Sequence, residues 1–256
     1  MSLWKDVQDL VGGEQNATIL AVSISVGLVF VTTLLIWLCR GSRARGRNFL
    51  LIGLNGAGKT LMYSQLRYRE EKHTVMSVAE NKGKVHIRDN KIEKVFDIVD
   101  IPGHDSLRKI LLEKYLPTAR GIVLVVDSSS FSKDVRDVAK LLFSVLATSS
   151  VRRNRASILI ACNKQDIPTA KSAKLVEQML EKEIDALRTT RAAALSDTDD
   201  TRSSVQVGKS GKEFSFADVH PLSVRVAECC AKDFDALDDR ETDLNRVIDW
   251  LLASAA

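Results

Sequence analysis

The longest apolar run of the chain, ATILAVSISVGLVFVTTLLIWL, covers residues 17–38 and passes 22 positions without a charged residue. A helix over it, rising about 1.5 Å per residue, would be about 33 Å long, enough to cross a hydrocarbon core of about 30 Å. Only Ser and Thr interrupt the run, so it lacks the polar face of an amphipathic core helix. A cleaved leader would begin basic, carry a shorter apolar core and leave through small residues. Here the start is acidic and the exit is Trp37-Leu38-Cys39-Arg40. The pattern predicts a single transmembrane anchor over 17–39, preceded by a short tail, 1–16.

Beyond residue 47 the pattern changes to short apolar runs at 48–53, 84–88, 94–100, 121–127, 156–163 and 222–229, which predict six strands. KVHIRDNKIEKVF reads as a hairpin turning at Asp89-Asn90. Helical spacing at about 59–70, 105–117, 133–148, 171–193 and 242–253 separates most of the other strands. Strands alternating with helices imply an α/β domain over 48–256, with a mostly parallel, doubly wound six-stranded sheet containing one hairpin. In such sheets ligands sit at the carboxyl ends of the strands. The stretch 194–212, ALSDTDDTRSSVQVGKSGK, is polar with little to bury, and predicts a mobile surface insert.

Charge placement adds an orientation. Residues 1–16 carry Lys5 against Asp6, Asp9 and Glu14, whereas the linker 40–47 carries Arg40, Arg43, Arg45 and Arg47. Positive flanks stay on the cytosolic side, which places 48–256 in the cytosol and the tail across the membrane. Trp37 suits the interfacial position, and the arginines can meet anionic head groups of the lipid bilayer. Asn16-Ala17-Thr18 is a glycosylation sequon, but one too near the bilayer for a transferase. Cys39 could be acylated, although an ordinary juxtamembrane thiol is the plainer account. With a formal net charge of +4 overall, the part beyond residue 47 is nearly neutral, so charge suggests no nucleic-acid partner. The four cysteines show neither scaffold nor zinc spacing, as expected of reduced thiols in a cytosolic domain.

Three motifs fall at strand ends. Gly53-Leu54-Asn55-Gly56-Ala57-Gly58-Lys59-Thr60, followed by Leu61, fits G-x-x-x-x-G-K-[ST] between a strand and a helix. Its glycines let successive backbone N–H groups face phosphates at a helix N-terminus. Lys59 supplies a charge to the outer phosphates, and the Thr60 hydroxyl can ligate Mg²⁺. KVFDIVDIPGH ends a strand in Asp100, a carboxylate suited to the magnesium's water shell, with Gly103 able to offer its N–H to a terminal phosphate. ASILIACNKQD ends in Asn163-Lys164-Gln165-Asp166. The Asp166 carboxylate can accept from both N1–H and the exocyclic amine of guanine, a donor pair that adenine lacks. Asn163 can tie this loop to the phosphate loop, and the Lys164 stem can lie over the base.

With Gly53–Thr60, DIPGHDSLR, IACNKQD and KSAKLVEQMLEKE in order, the chain resembles the small GTPases of the Ras superfamily. Within them it is similar to the signal recognition particle receptor beta-subunit family, itself related to Arf and Sar proteins. The N-terminal anchor and the insert ending GKEFSF extend the resemblance over essentially the whole chain. It implies a P-loop small-GTPase fold that binds GTP/GDP with Mg²⁺. Such proteins keep a metal-binding hydroxyl after the first helix, which here is Ser77 or Thr74. A Ser-Ala-Lys loop usually contacts the base; here it reads Cys230-Ala231-Lys232, leaving the Ala231 N–H for the guanine oxygen. His104 stands where relatives orient the attacking water, and a surface histidine covering the nucleotide is the alternative. No arginine stands out as an internal finger, so slow hydrolysis is expected. The resemblance further implies a heterodimer with the receptor's alpha subunit at the endoplasmic reticulum membrane, and through it signal recognition particle and ribosome. An Arf/Sar-like GTPase whose turnover times a trafficking step is the alternative.

If the 17–39 segment spans the bilayer, the chain stays in the membrane pellet through high salt and alkaline carbonate. Its release into the supernatant would disprove the span.

Overall fold

The computed structural model describes residues 14–41, 46–68, 77, 79–89, 92–196, 207–209, 211–232 and 244–255. The chain divides into two units, Met1–Ala44 and Arg45–Ala256. Among its described residues the first contains one helix, α1 (Glu14–Gly41), whose side chains are described at residue 19 and residues 21–34, all of them exposed. Its Ser25, Thr32 and Thr33 hydroxyls donate to carbonyls three or four residues earlier, so the helix itself satisfies them. Among the described residues no helix is long and apolar enough to cross a membrane. Most of the 1–16 tail and residues 42–45 of the basic linker lie outside the described residues.

The second unit is an α/β domain. Strands β1 (Asn48–Ile52), β2 (Asn81–Asp89), β3 (Ile92–Asp100), β4 (Ala119–Asp127), β5 (Ser157–Asn163) and β6 (Val224–Glu228) form one sheet ordered β2-β3-β1-β4-β5-β6. Every neighbouring pair is parallel except the β2–β3 hairpin. The central strands read as unbroken apolar runs because helices cover both faces, and seven of nine β4 residues are buried. Leu50 and Ile52 face one layer with α3 (Asp105–Tyr115), α4 (Phe131–Ala147), α5 (Ser149–Asn154) and α6 (Ala173–Ser196). Phe49 and Leu51 face the other, with α2 (Lys59–Tyr68) and α7 (Asn245–Ala255).

Strand polarity separates two ends of this domain. The chain enters at the amino-terminal edge, where the Arg47 N–H donates to Thr118 O at 2.9 Å. The β1–β3 pairing aligns Leu51 with Asp100, and the β4–β5 pairing aligns Asp127 with Asn163. The three motif-bearing ends, of β1, β3 and β5, and the end of β4 at Asp127 therefore lie along the carboxyl edge. Five residues of β1, at about 3.3 Å each, set the phosphate loop about 17 Å from the point of entry.

The sequence pattern located every strand, with errors at the ends. The β2 strand begins three residues before the apolar run at 84, since its edge position needs no buried residue there. Helix α5 carries too few residues for a periodic signal, and it stops at Arg155, whose φ of 51° caps it in the left-handed region. The insert expected at 194–212 is described only at its two ends. Helix α6 runs to Ser196, past the expected start of the loop at 194, and the loop's far end is packed rather than free. Val207 is 3% exposed, and Arg188 donates to the carbonyls of Lys209 and Lys212. Glu181 and Asp185 accept the backbone N–H groups of Phe216 and Phe214. Polar side chains of α6 thus satisfy a backbone whose own composition suggested no structure; residues 197–206 lie outside the described set.

The α7 layer is anchored by Trp250, 4% exposed, whose ring meets Phe49 edge-on at 6.0 Å while Phe49 meets Phe96 at 5.5 Å. Trp250→Ala is expected to lower unfolding stability by about 3–5 kcal/mol, because the cavity cannot close between α7 and the sheet. Urea unfolding followed by far-UV circular dichroism measures this loss.

Candidate functional site

The phosphate loop leaves β1 at Gly53 and enters α2 at Lys59. Gly58 has φ 91°, and a Cβ there would lie 2.3 Å from Asn163 Nδ2, so this position requires glycine on both counts. Gly53, Leu54, Asn55, Gly56, Ala57 and Gly58 form the turn, with Thr60 and Leu61 in the first turn of α2. Lys59 is 6% exposed and turns back over the loop, Nζ donating to Leu54 O at 2.7 Å. Burial pushes its pKa down to about 8; Asp100 works against that shift, and the Arg108 guanidinium adds to it.

Beside the loop three oxygen-bearing side chains converge from separate elements. Thr60 Oγ1 donates to Asp100 Oδ2 at 2.8 Å and lies 3.0 Å from Ser77 Oγ. Asn81, which opens β2, donates to the same Asp100 oxygen at 3.1 Å. Asp100 is fully buried, and its other oxygen, Oδ1, has no hydrogen-bond partner. A buried carboxylate oxygen without a donor costs free energy that a hard cation would recover. Two hydroxyls and a carboxylate suit Mg²⁺ in ligand type, so the donor set fits that ion. Thr74, the alternative to Ser77, lies outside the described residues.

The base-side motif is organised by Asn163, 2% exposed, whose Nδ2 donates to Ala57 O at 2.8 Å. Its Oδ1 accepts the Ala231 N–H at 2.9 Å. That N–H was expected to face the base oxygen, and the structure directs it to Asn163 instead. Lys164 sits at φ 67°, and its Nζ lies 2.6 Å from Asp127 Oδ2. Burial works to raise the Asp127 pKa, but Lys164 and Ser129 hold it below the usual carboxylate value. Asp166 is exposed, and it accepts from Cys230 Sγ at 3.2 Å. Burial and that carboxylate push the Cys230 thiol up to about 11. Cysteine thus occupies the partner position of Asp166 with a weak donor.

His104 is the N-cap residue of α3; it is exposed, and its side chain bonds to none of the described residues. Gly103 lies against the phosphate loop near Asn55. Three residues here escaped the sequence reading: Asn81, Asp127 and Arg108. Asp127 carried the same signal as Asp100, an aspartate closing an apolar strand. Asn81 and Arg108 carried none.

A family model described as "Signal recognition particle receptor beta subunit" matches residues 44–223. The human signal recognition particle receptor subunit beta is 43% identical over 221 residues, covering 86% of this chain and 80% of that one. The mouse protein of the same name is 40% identical over 240 residues, covering 93% and 88%. Among solved structures, the mammalian SRP receptor superposes with a TM-score of 0.69 at 39% identity, over 81% of this chain and 100% of that chain. A Chaetomium thermophilum chain described as signal recognition particle receptor SRb-GDP-Mg gives a TM-score of 0.57 at 23% identity, over 82% and 98%, and shares the fold.

Lys59 generates a pH signature. Its folded pKa of about 8 lies below the ordinary 10.5, so between those values the unfolded chain binds a proton that the folded chain does not. Folding stability relative to Lys59→Met is therefore expected to rise as pH increases from about 8 toward 10.5 and to level off beyond. Denaturant titrations of both proteins across that window check the slope.

Proposed function

The chain belongs to the family of signal recognition particle receptor beta subunits, and from that premise we propose a membrane-anchored, GTP-gated receptor subunit. It holds the receptor's alpha subunit at the endoplasmic reticulum membrane for co-translational protein targeting. The observation that carries this is the convergence of Thr60, Ser77 and Asp100, with its unpartnered buried oxygen, beside a phosphate loop tied by Asn163 to the NKQD strand end.

In this proposal the backbone N–H groups of Gly53–Thr60 and the Lys59 ammonium bind the phosphates of GTP or GDP. Thr60, Ser77 and Asp100 hold Mg²⁺, which supplies neutralisation of charge between the outer phosphates. Asp166 reads guanine, Asn163 and Lys164 position the base, and Ala231 closes over it after its N–H exchanges Asn163 for the base oxygen. The terminal phosphate orders Ser77 and Gly103–Ser106 into a docking face for the alpha subunit. His104, exposed at the start of α3, orients water for slow hydrolysis. The 17–39 segment spans the bilayer, the basic linker 40–47 marks the cytosolic side, and residues 48–256 form the cytosolic domain.

Purified Asp166→Asn, still folded, is expected to lose GTP affinity by about 10- to 100-fold, the worth of a charge-assisted hydrogen bond, and to gain xanthosine triphosphate. The variant should then capture the alpha subunit in xanthosine triphosphate but not in GTP. Unchanged GTP binding would sink the base assignment; capture indifferent to nucleotide would sink the gating.

A further inference from the structure

Arg108 occupies a place that its sequence context does not explain. It lies in the first turn of α3, and its backbone N–H donates to His104 O at 2.8 Å. A cation in a helix's first turn meets the positive end of the dipole, which is unfavourable. Its neighbours Lys109 and Ile110 point into solvent, yet the Arg108 side chain is only 11% exposed. Its ion-pair partner Asp105 is 78% exposed, so that pair alone gives no reason for burial.

The guanidinium uses two nitrogens in two directions. Nη2 meets the Asp105 carboxylate, and Nη1 donates to Gly103 O at 2.7 Å. Gly103 in turn lies against the phosphate loop: a methyl group added there would fall 2.4 Å from Asn55 Oδ1 and 2.7 Å from Asn55 N. The guanidinium is also near enough to Lys59 to lower the ammonium's pKa. A half-buried cation therefore acts on the phosphate-loop lysine and grips the carbonyl of the glycine that lies against that loop. The two positive groups repel each other, and an anion lying beside both would offset that cost.

We propose that Arg108 is the positioning residue for the terminal phosphate of a nucleoside triphosphate. By pinning the Gly103 carbonyl and the Asp105 carboxylate at once, it fixes the Asp100-Ile101-Pro102-Gly103 turn against the phosphate loop and sets where the Gly103 N–H points. Its charge adds to that of Lys59 at the outer end of the phosphate chain, where a diphosphate has no group. Arg108 acts through Gly103 and so discriminates triphosphate from diphosphate rather than supporting nucleotide binding in general. A lysine cannot replace it, because one ammonium on a flexible stem does not hold two divergent acceptors in a fixed fork. The inference rests on the nucleotide site proposed above.

The test measures the full chain in detergent with fluorescent GDP and a non-hydrolysable fluorescent GTP analogue, for wild type, Arg108→Ala, Arg108→Lys and Asp105→Ala. Arg108→Ala is expected to weaken triphosphate binding about tenfold, with diphosphate affinity changed by no more than about twofold. Arg108→Lys should recover only a minor part of that loss, and Asp105→Ala, which removes one of the two acceptors of the fork, should show a smaller loss of about threefold confined to the triphosphate. If Arg108→Ala does not fold, Arg108→Gln is read for the same ratio. Equal losses for both nucleotides would mark a merely structural residue. No loss, or full rescue by lysine, would equally overturn the positioning role. Wild type that binds neither nucleotide would instead remove the nucleotide site itself.

Discussion

A single buried amide joins the parts of the site. Asn163 reaches from the end of β5 to the phosphate loop through Ala57 O at 2.8 Å and to the loop after β6 through the Ala231 N–H at 2.9 Å. Both of its polar atoms are engaged, as a side chain 2% exposed requires. A Cβ at Gly58 would collide with the same amide, so the phosphate loop can pass this close to Asn163 only as glycine. The two loops that would flank a base and the loop that would hold its phosphates are thus placed by one residue, itself fixed by the β4–β5 register.

Around that hub the charges are left unbalanced in a way that favours an anion with its cation. Lys59 is buried, and desolvation lowers its pKa to about 8, with a second cation, Arg108, adding to the effect. Asp100 stands opposite with one oxygen engaged by Thr60 and Asn81 and the other without a donor. Each group is held at a cost that a polyphosphate and a hard divalent ion would offset together. The base side differs: Asp127 and Lys164 neutralise each other at 2.6 Å, leaving Asp166 exposed with only a thiol for company.

Sheet polarity gives the molecule its direction. The backbone enters beside Thr118 at one edge, and the site lies along the other, so the phosphate loop is near the apolar segment in sequence yet set off from the point of entry by the length of β1.

The six strands, five of the six α-helices described in the second unit and the three motifs were legible in the sequence because each is a local signal. Burial on both faces writes a continuous apolar run, a helix writes its own period, and a phosphate loop needs glycines and a lysine at fixed spacing. The apolar segment likewise announced a helix. What the tertiary structure alone decided depends on residues distant in the chain. Asn81 reaches Asp100 because β2 pairs antiparallel with β3. The Ala231 N–H turns to Asn163 because two loops close on one amide. Val207 is buried because Arg188, Glu181 and Asp185 supply partners for a polar loop from the side of α6. Arg108, one basic residue among many in the sequence, becomes singular only when the turn at Gly103 meets the phosphate loop. Sequence fixes what each segment can satisfy within itself; side chains whose partners lie in other segments acquire their roles only when packing removes water from between them.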